Sequence, residues 1–402
     1  MTFVYSVFFT FFLLLQLVFA IYITIPLLFL CCYGFLRLFK IKTPFEKRPV
    51  LIDRDFEFGL IITAHQEAEF VIPLVDSILR QTYKNFHAYV VADDCDTTAL
   101  DFSDPRITIL EPQPPLNAKV KSIHYAIDRF VKKPDAVIIL DVDNLIHPHF
   151  LQVMNAYFQK GYKVVQADFK PKNIDTNYAR MDAMGDMFNF FVEREMRMRL
   201  GLSSAIWGSG IAIDYDLYKE VEYADFLGGF DKKLQSHLVQ RVDKIAFAAE
   251  AILFDEKITS GKSLENQRTR WISSYFKYFR ESFKIFVKGL QKGSINLMYF
   301  GFIVLRPPLF LVIGISSLFT IIDFFIRPHL FFLWLAILSG FLLSFACIVL
   351  IKGKDIRFLR TFFIIPIFAV RQTASLFKMR KAKKSFMKTQ HSKLVFISDL
   401  LK

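Results

Sequence analysis

The run Ala136-Val137-Ile138-Ile139-Leu140-Asp141-Val142-Asp143 decides how the chain is read: an unbroken apolar stretch, then two carboxylates two positions apart. β-Branched residues in a continuous apolar run fit a strand covered on both faces, the mark of a parallel sheet. Acids at i and i+2 of an extended chain share a face, and at a strand end they can turn toward a ligand. Alone, such a pair reads equally well as solvated turn residues or a helix cap. Here it has company. Residues 58–64, 87–92, 106–110 and 164–167 read as further strands, and 70–81, 120–131 and 150–158 carry helical spacing. This alternation predicts an α/β domain with a doubly wound sheet, whose ligands lie outside the carboxyl ends of its strands. The first of these strands runs into His65-Gln66-Glu67 and the second into Asp93-Asp94, so three strands deliver acids to one edge.

Composition places that domain at a membrane. The 402 residues hold 51 Lys+Arg against 38 Asp+Glu, a net charge of +13, with 53% hydrophobic residues and 47 Phe. Such a chain is neither a disordered nor a collagen-like polymer. Residues 1–36 carry no charge, and about 20 apolar residues suffice to cross the roughly 30 Å of bilayer hydrocarbon. The run lacks the basic start and cleavage site of a secretory signal and ends in Arg37, Lys40, Lys42, Lys47 and Arg48. It predicts an uncleaved anchor over 1–40, with the N-terminus outside and the chain beyond it in the cytoplasm. Residues 295–377 read as a second membrane region. Its first run, 295–326, is interrupted by Arg306-Pro307-Pro308; the second, 330–351, is free of charge; the third, 358–377, fits a crossing or a re-entrant segment. Residues 378–402 read as a basic cytoplasmic tail. The stretch 371–393 has eight Lys/Arg and no acid, suited to anionic lipid. With the positive excess gathered at the membrane borders, no nucleic-acid partner is expected. Cys31, Cys32, Cys95 and Cys347 show no C-x-x-C spacing, so neither a zinc site nor a disulfide framework is expected. No G-x-G-x-x-G or Walker sequence and no internal repeat is present, which argues against dinucleotide enzymes, P-loop ATPases and transporters built from repeats.

In combination, the strand-end acids resemble those of inverting family 2 glycosyltransferases with a GT-A fold. Ile61-Ile62-Thr63-Ala64-His65-Gln66-Glu67 is similar to the family's first strand and Asn-Glu turn, with Gln66 in place of Asn. Residues 77–86 resemble the helix and loop that follow, Val90-Val91-Ala92-Asp93-Asp94 the uridine-binding Asp pair, and Ala118-Lys119 a basic position that meets the nucleotide. Gln267-Arg268-Thr269-Arg270-Trp271 matches the Q-x-x-R-W motif of membrane-embedded cellulose, chitin, hyaluronan and poly-N-acetylglucosamine synthases. Arg offers a planar donor fork for a diphosphate and Trp a flat face for a sugar ring. Trp271, Ile272, Tyr275, Phe276, Phe279, Phe283 and Phe286 recur at helical spacing. Residues 265–292 are therefore expected to form an amphipathic helix along the membrane, following a glycosyltransferase domain over 43–264. Upstream, the resemblance aligns Asp231 with the family's catalytic acid, with Phe230 in place of the customary Glu; Asp225 is the nearest spare acid. Trp207-Gly208-Ser209-Gly210 resembles a small-residue acceptor-site turn, although its glycines also serve an ordinary turn.

The resemblance implies transfer from a UDP-sugar to a growing β-linked polysaccharide. Asp143, assisted by Asp141, would hold Mg2+ or Mn2+. Ala64, Glu67, Asp94, Lys119, Asp141, Gln267 and Arg270 would bind nucleotide and diphosphate. Asp231 would be the base, with Trp207, Gly208 and Trp271 at the acceptor. Two alternatives stay open: transfer of a single sugar to a polyprenyl phosphate or other lipid, and a degenerate nucleotide-binding subunit of an export complex. The membrane part is small for a chain that also threads its product outward, so an export or channel subunit is an expected partner. The implied location is a bacterial inner or plasma membrane, with the catalytic domain cytoplasmic.

Overall fold

The computed structural model describes residues 2–223, 226, 228–364 and 392–401. Its strands are β1 (Phe58–His65), β2 (Phe86–Asp93), β3 (Ile107–Leu110), β4 (Ala136–Asp141), β5 (Leu145–Ile146), β6 (Val164–Pro171), β7 (Ile211–Asp214) and β8 (Ala246–Asp255). They form one sheet in the order β3-β2-β1-β4-β7-β6-β8-β5. β1 to β4 are mutually parallel in their pairings, as the sequence predicts. The rest is mixed: β7 runs antiparallel to both β4 and β6, β6 pairs parallel with β8, and β5 pairs antiparallel with β8. β3 is an edge strand, half-buried along its length rather than covered on both faces.

The helices are α1 (Thr2–Leu38), α2 (Pro44–Lys47), α3 (Val71–Leu79), α4 (Lys119–Ile127), α5 (Phe150–Gln159), α6 (Asn177–Phe190), α7 (Met196–Arg199), α8 (Tyr215–Lys219) and α9 (Phe230–Leu238). They are followed by α10 (Gly261–Lys277), α11 (Phe279–Gln291), α12 (Ile295–Leu305), α13 (Leu309–Ile326), α14 (Pro328–Gly353) and α15 (Arg357–Thr361). Successive residues of β4 feed opposite cores, as the period of two in a strand requires. Ile138 and Leu140 join α3 and α5 on one face, while Val137 and Ile139 join α4 and α9 on the other. Burial on both sides leaves only Asp141, at the strand end, partly exposed.

The α1 segment Ser6–Leu38, α13 and α14 are each long and apolar enough to cross a membrane. They pack together, with a polar contact inside: Gln16 Nε2 donates to Asp323 Oδ2 at 3.0 Å and Trp334 Nε1 to Gln16 Oε1 at 3.2 Å. The Arg306-Pro307-Pro308 break separates α12 from α13, since proline removes backbone donors. Arg306 faces protein there, its Nη2 lying 2.8 Å from Glu193 Oε1 in the π-turn Phe191–Glu195 that joins α6 to α7. An arginine inside an apolar run needs such a partner.

The single helix expected over 265–292 is two helices, α10 and α11, parted at Tyr278. The Tyr278 ring packs on Gly229, whose φ is +70°; a Cβ at that glycine would come within 2.7 Å of Tyr278 Cε2. This contact is remote in sequence, which is why helical periodicity alone misses the break. Of the apolar stretch 358–377 only the beginning is described, as α15 and the turn Phe362–Ile364; residues 365–391, and with them most of the basic stretch, lie outside the described residues, as does Asp225. Past that gap the chain docks on the domain: the turn Ile397–Leu400 packs on α3 with Ile397 fully buried.

Candidate active site

The carboxyl edge of β1, β2 and β4 gathers the polar residues. Asp141 opens a turn closed by Asn144, whose N–H donates to Asp141 O and whose Oδ1 accepts from Asp141 N, both at 2.9 Å. The turn carries Asp143 inward. Its Oδ1 accepts from Asn144 Nδ2 at 3.3 Å, and Oδ2 lies 3.5 Å from the N–H of Glu256, just past β8. Lys119, the first residue of α4, pairs with Asp141 Oδ1 and donates to Gly208 O at 2.7 Å. The same ammonium stands 5.2 Å from the centre of the Phe230 ring. Gly208 permits this crowding: a Cβ there would be 3.0 Å from Phe230 Cε1. Arg270 reaches the cluster from α10; burial lowers the pKa of its guanidinium and the Asp141 charge opposes that shift. Beside them the Trp207 and Trp271 ring centroids are 6.1 Å apart. A guanidinium lies on each indole, Arg194 at 4.9 Å from Trp207 and Arg268 at 4.2 Å from Trp271.

The ends of β1 and β2 form a second part of the edge. Asp93 is buried and accepts from the N–H groups of Leu116, at 2.6 Å, and Asn117, at 2.9 Å. It thereby fixes the loop that delivers Lys119. Asp94 is exposed in a left-handed conformation, φ +54°, and accepts from Gln66 Nε2 at 2.6 Å. A cavity of about 360 Å³ opens here, lined by Ala92, Asp94, Cys95, Glu111 and Pro115 among others. That volume is at the lower end of the range for ligand pockets. Ala64 and Glu67 are buried at the adjoining end of β1.

A family model described as "Glycosyltransferase like family 2" matches residues 56–274, more than half of the 402. The chain belongs to this family. It is a glycosyltransferase, and its mixed sheet with covering helices is the GT-A arrangement that the sequence resemblance implies. Among solved structures it is similar to the mannosyltransferase PcManGT from Pyrobaculum calidifontis in complex with GDP-Man and Mn2+. Identity is 13%, 84% of this chain and 99% of that chain are covered, and the TM-score is 0.46. It is also similar to S. aureus TarS 1-349 in complex with UDP-GlcNAc, at 12% identity over 62% of this chain and 90% of that one, with a TM-score of 0.38. Among curated proteins no relative matches.

Lys119, Asp141, Gly208 and Arg270 of this glycosyltransferase thus share one place, with Trp207 and Trp271 beside it. Asp231 follows Phe230 as the second residue of α9, and its charge adds, after burial and the Tyr218 and Tyr278 hydroxyls, to the raised pKa of the Tyr223 hydroxyl. Gln267 is less well provided: its buried Oε1 has no hydrogen-bond partner among the described residues. Among the described residues no group of three or more Asp, Glu, His or Cys side chains is arranged to hold a metal ion by itself. Asp141 and Asp143 still suit Mg2+ or Mn2+, because such ions are commonly held by one or two carboxylates with substrate phosphates completing the shell.

Sequence reasoning missed a charge network behind Asp143. Lys257, almost fully buried, pairs with Asp186 and with Asp255 Oδ1 at 2.7 Å. Burial pushes the Asp255 carboxyl up to about 7, against the pull of Lys257. Lys172 is nearby; burial lowers the pKa of its ammonium, opposed by Asp143, Glu256 and Asp255. Asp182 accepts from Arg268 Nη2 at 2.6 Å. The available signal was the pair Asp182 and Asp186, one turn apart on the otherwise apolar inner face of α6.

Proposed function

We propose that this glycosyltransferase moves a sugar from a UDP-sugar onto a growing β-linked polysaccharide at the membrane, inverting the anomeric carbon. The reading is supported by one observation above all: Lys119, Asp141, Gly208 and Arg270, far apart along the chain, meet beside two indoles. The nucleoside would occupy the cavity at Asp94, with Ala64 and Glu67 buried at the adjoining end of β1. Lys119 and Arg270 would hold the diphosphate, already positioned where negative charge grows as it departs. A divalent ion bound by Asp141 and Asp143 would supply further charge neutralisation to that leaving group. Asp231 would take the proton of the attacking hydroxyl, a contribution of about 10²–10⁴-fold. Attack opposite the leaving diphosphate gives the β-linkage, and Trp207 and Trp271 would stack the acceptor's terminal rings over Gly208. Membrane helices on either side of the domain fit a cytoplasmic active site whose product leaves through an export or channel subunit.

Purified Asp231→Asn should bind UDP as wild type does while UDP release with acceptor falls at least 100-fold. Elongation at the wild-type rate would remove Asp231 from the role. UDP-glucose compared with UDP-N-acetylglucosamine in membranes identifies the donor. A second reading is one sugar transferred to a polyprenyl phosphate, which the apolar helices α1, α13 and α14 would bring to the domain. A ladder of labelled products supports the polymer; one labelled sugar in the lipid fraction supports the lipid.

A further inference from the structure

A second cavity, of about 320 Å³, lies at the opposite, amino edge of the sheet, between α2, the end of α7 and the loop before β8. Its polar wall is Lys47, Arg48, Asp243 and Lys244, three cations and one acid. Arg48 spends its charge locally: Nη1 is 3.8 Å from Asp243 Oδ2, and the guanidinium lies 4.5 Å from the centre of the Tyr162 ring. Lys47 and Lys244 have no carboxylate within 4.0 Å among the described residues. Pro44, Met198 and Leu202 supply an apolar remainder.

Position says what such a cavity meets. On one side, only residues 39–43 separate α2 from the end of the apolar helix α1. On the other, Asn296, in the first turn of the apolar helix α12, ties both walls down. Its Oδ1 accepts from Ser203 N at 2.7 Å, next to Leu202, and its Nδ2 donates to Asp243 O at 3.4 Å. The cavity therefore sits level with the places where two apolar helices give way to polar chain, which is headgroup depth in a bilayer. Phe35, Leu38, Phe39 and Ile41 are exposed there at the end of α1, as lipid-facing side chains would be.

We infer that this cavity binds the phosphate of a membrane phospholipid headgroup, through the ammonium groups of Lys47 and Lys244. Arg48 and Tyr162 form a fixed floor, and the apolar residues receive the first carbons beyond the phosphate. The site is separate from the sugar-transfer edge and depends only on the membrane placement of α1 and α12.

The test uses the full-length protein in neutral-detergent micelles, with phosphatidylglycerol or phosphatidylcholine added and retained lipid counted by native mass spectrometry. Wild type should hold phosphatidylglycerol in preference to phosphatidylcholine. The Lys47→Gln/Lys244→Gln pair should weaken that retention by about 25-fold, from roughly fivefold per lysine beside an anionic lipid. Lys47→Arg/Lys244→Arg should restore it, and Lys40→Gln/Lys42→Gln, which removes two other border charges, should leave it intact. Millimolar inorganic phosphate serves as competitor: failure to displace the lipid supports a headgroup site, and full displacement overturns the lipid source in favour of a soluble phosphate. Equal retention by wild type and the Lys47→Gln/Lys244→Gln pair, with both melting alike, would overturn the site itself.

Discussion

Gly208 shows how much a single residue governs at the sugar-transfer edge. Its carbonyl holds Lys119, and the space where a side chain would start is taken by Phe230. Gly208→Ala should therefore displace Phe230 and Lys119 together and lower kcat by about 10- to 100-fold, the scale expected of a misplacement near 1 Å. Gly185→Ala, in α6 with nothing within 4 Å of the added carbon, is the control and should keep wild-type turnover. Asp94→Asn should instead raise the donor KM with kcat little changed, since Asp94 lies in the nucleotide-sized cavity away from the Trp pair. Steady-state kinetics of the three variants separates these outcomes. The sequence makes Asp94, Lys119 and Asp141 visible because each stands at the end or start of an element, and Arg270 because it lies in the Q-x-x-R-W stretch within α10. Phe230 stands out there only as a missing acid. Its contact with Lys119, an aromatic face against an ammonium, depends on a fold that brings residues 119 and 230 together.

Elements differ in how plainly they announce themselves. β1, β2 and β4 are long, apolar and buried on both faces, so composition alone marks them. β5 and β7, with 2 and 4 residues, carry too short a pattern, and their antiparallel pairing is decided by distant strands. The link between α6 and the end of β8 is hidden for the same reason. There, two buried carboxylates, Asp186 and Asp255, share the single ammonium of Lys257. Lys257→Met leaves both acids without that partner and should destabilise the domain by about 3–5 kcal/mol, whereas adding Asp186→Asn and Asp255→Asn to it should recover much of the loss. Thermal melts test this. The Asp255 carboxyl, raised from an ordinary value near 3.8 to about 7, favours the protonated form in the folded chain. Its contribution to stability is full below about pH 4 and is lost as pH rises through 7. The melting temperature of wild type should fall between pH 5 and pH 8 more steeply than that of Asp255→Asn.

Across the whole molecule, the helices long and apolar enough to cross a membrane were legible, α1 and α14 from charge-free runs, and the break before Pro307 from its prolines. The return of the C-terminus was not. Ser392 N donates to Glu256 Oε1 at 2.9 Å and Lys393 N to Oε2 at 3.1 Å, contacts spanning 136 and 137 positions, and no local pattern encodes such a reach. Lys393 Nζ adds an ion pair to Asp175 at 2.7 Å, and Ile397 is fully buried against α3. Removing residues 392–402 should cost about 2 kcal/mol from the lost burial of Ile397 alone, lowering the melting temperature. It should also lower sugar transfer, because Glu256 is the residue whose N–H lies beside Asp143. Circular dichroism and UDP release measure the two effects. The clasp on Glu256 comes from residues 392 and 393, which are synthesised after the apolar helices α1, α13 and α14. A nascent enzyme not yet extended past residue 393 would lack the closing contact beside Asp143, so full turnover would begin only after that point.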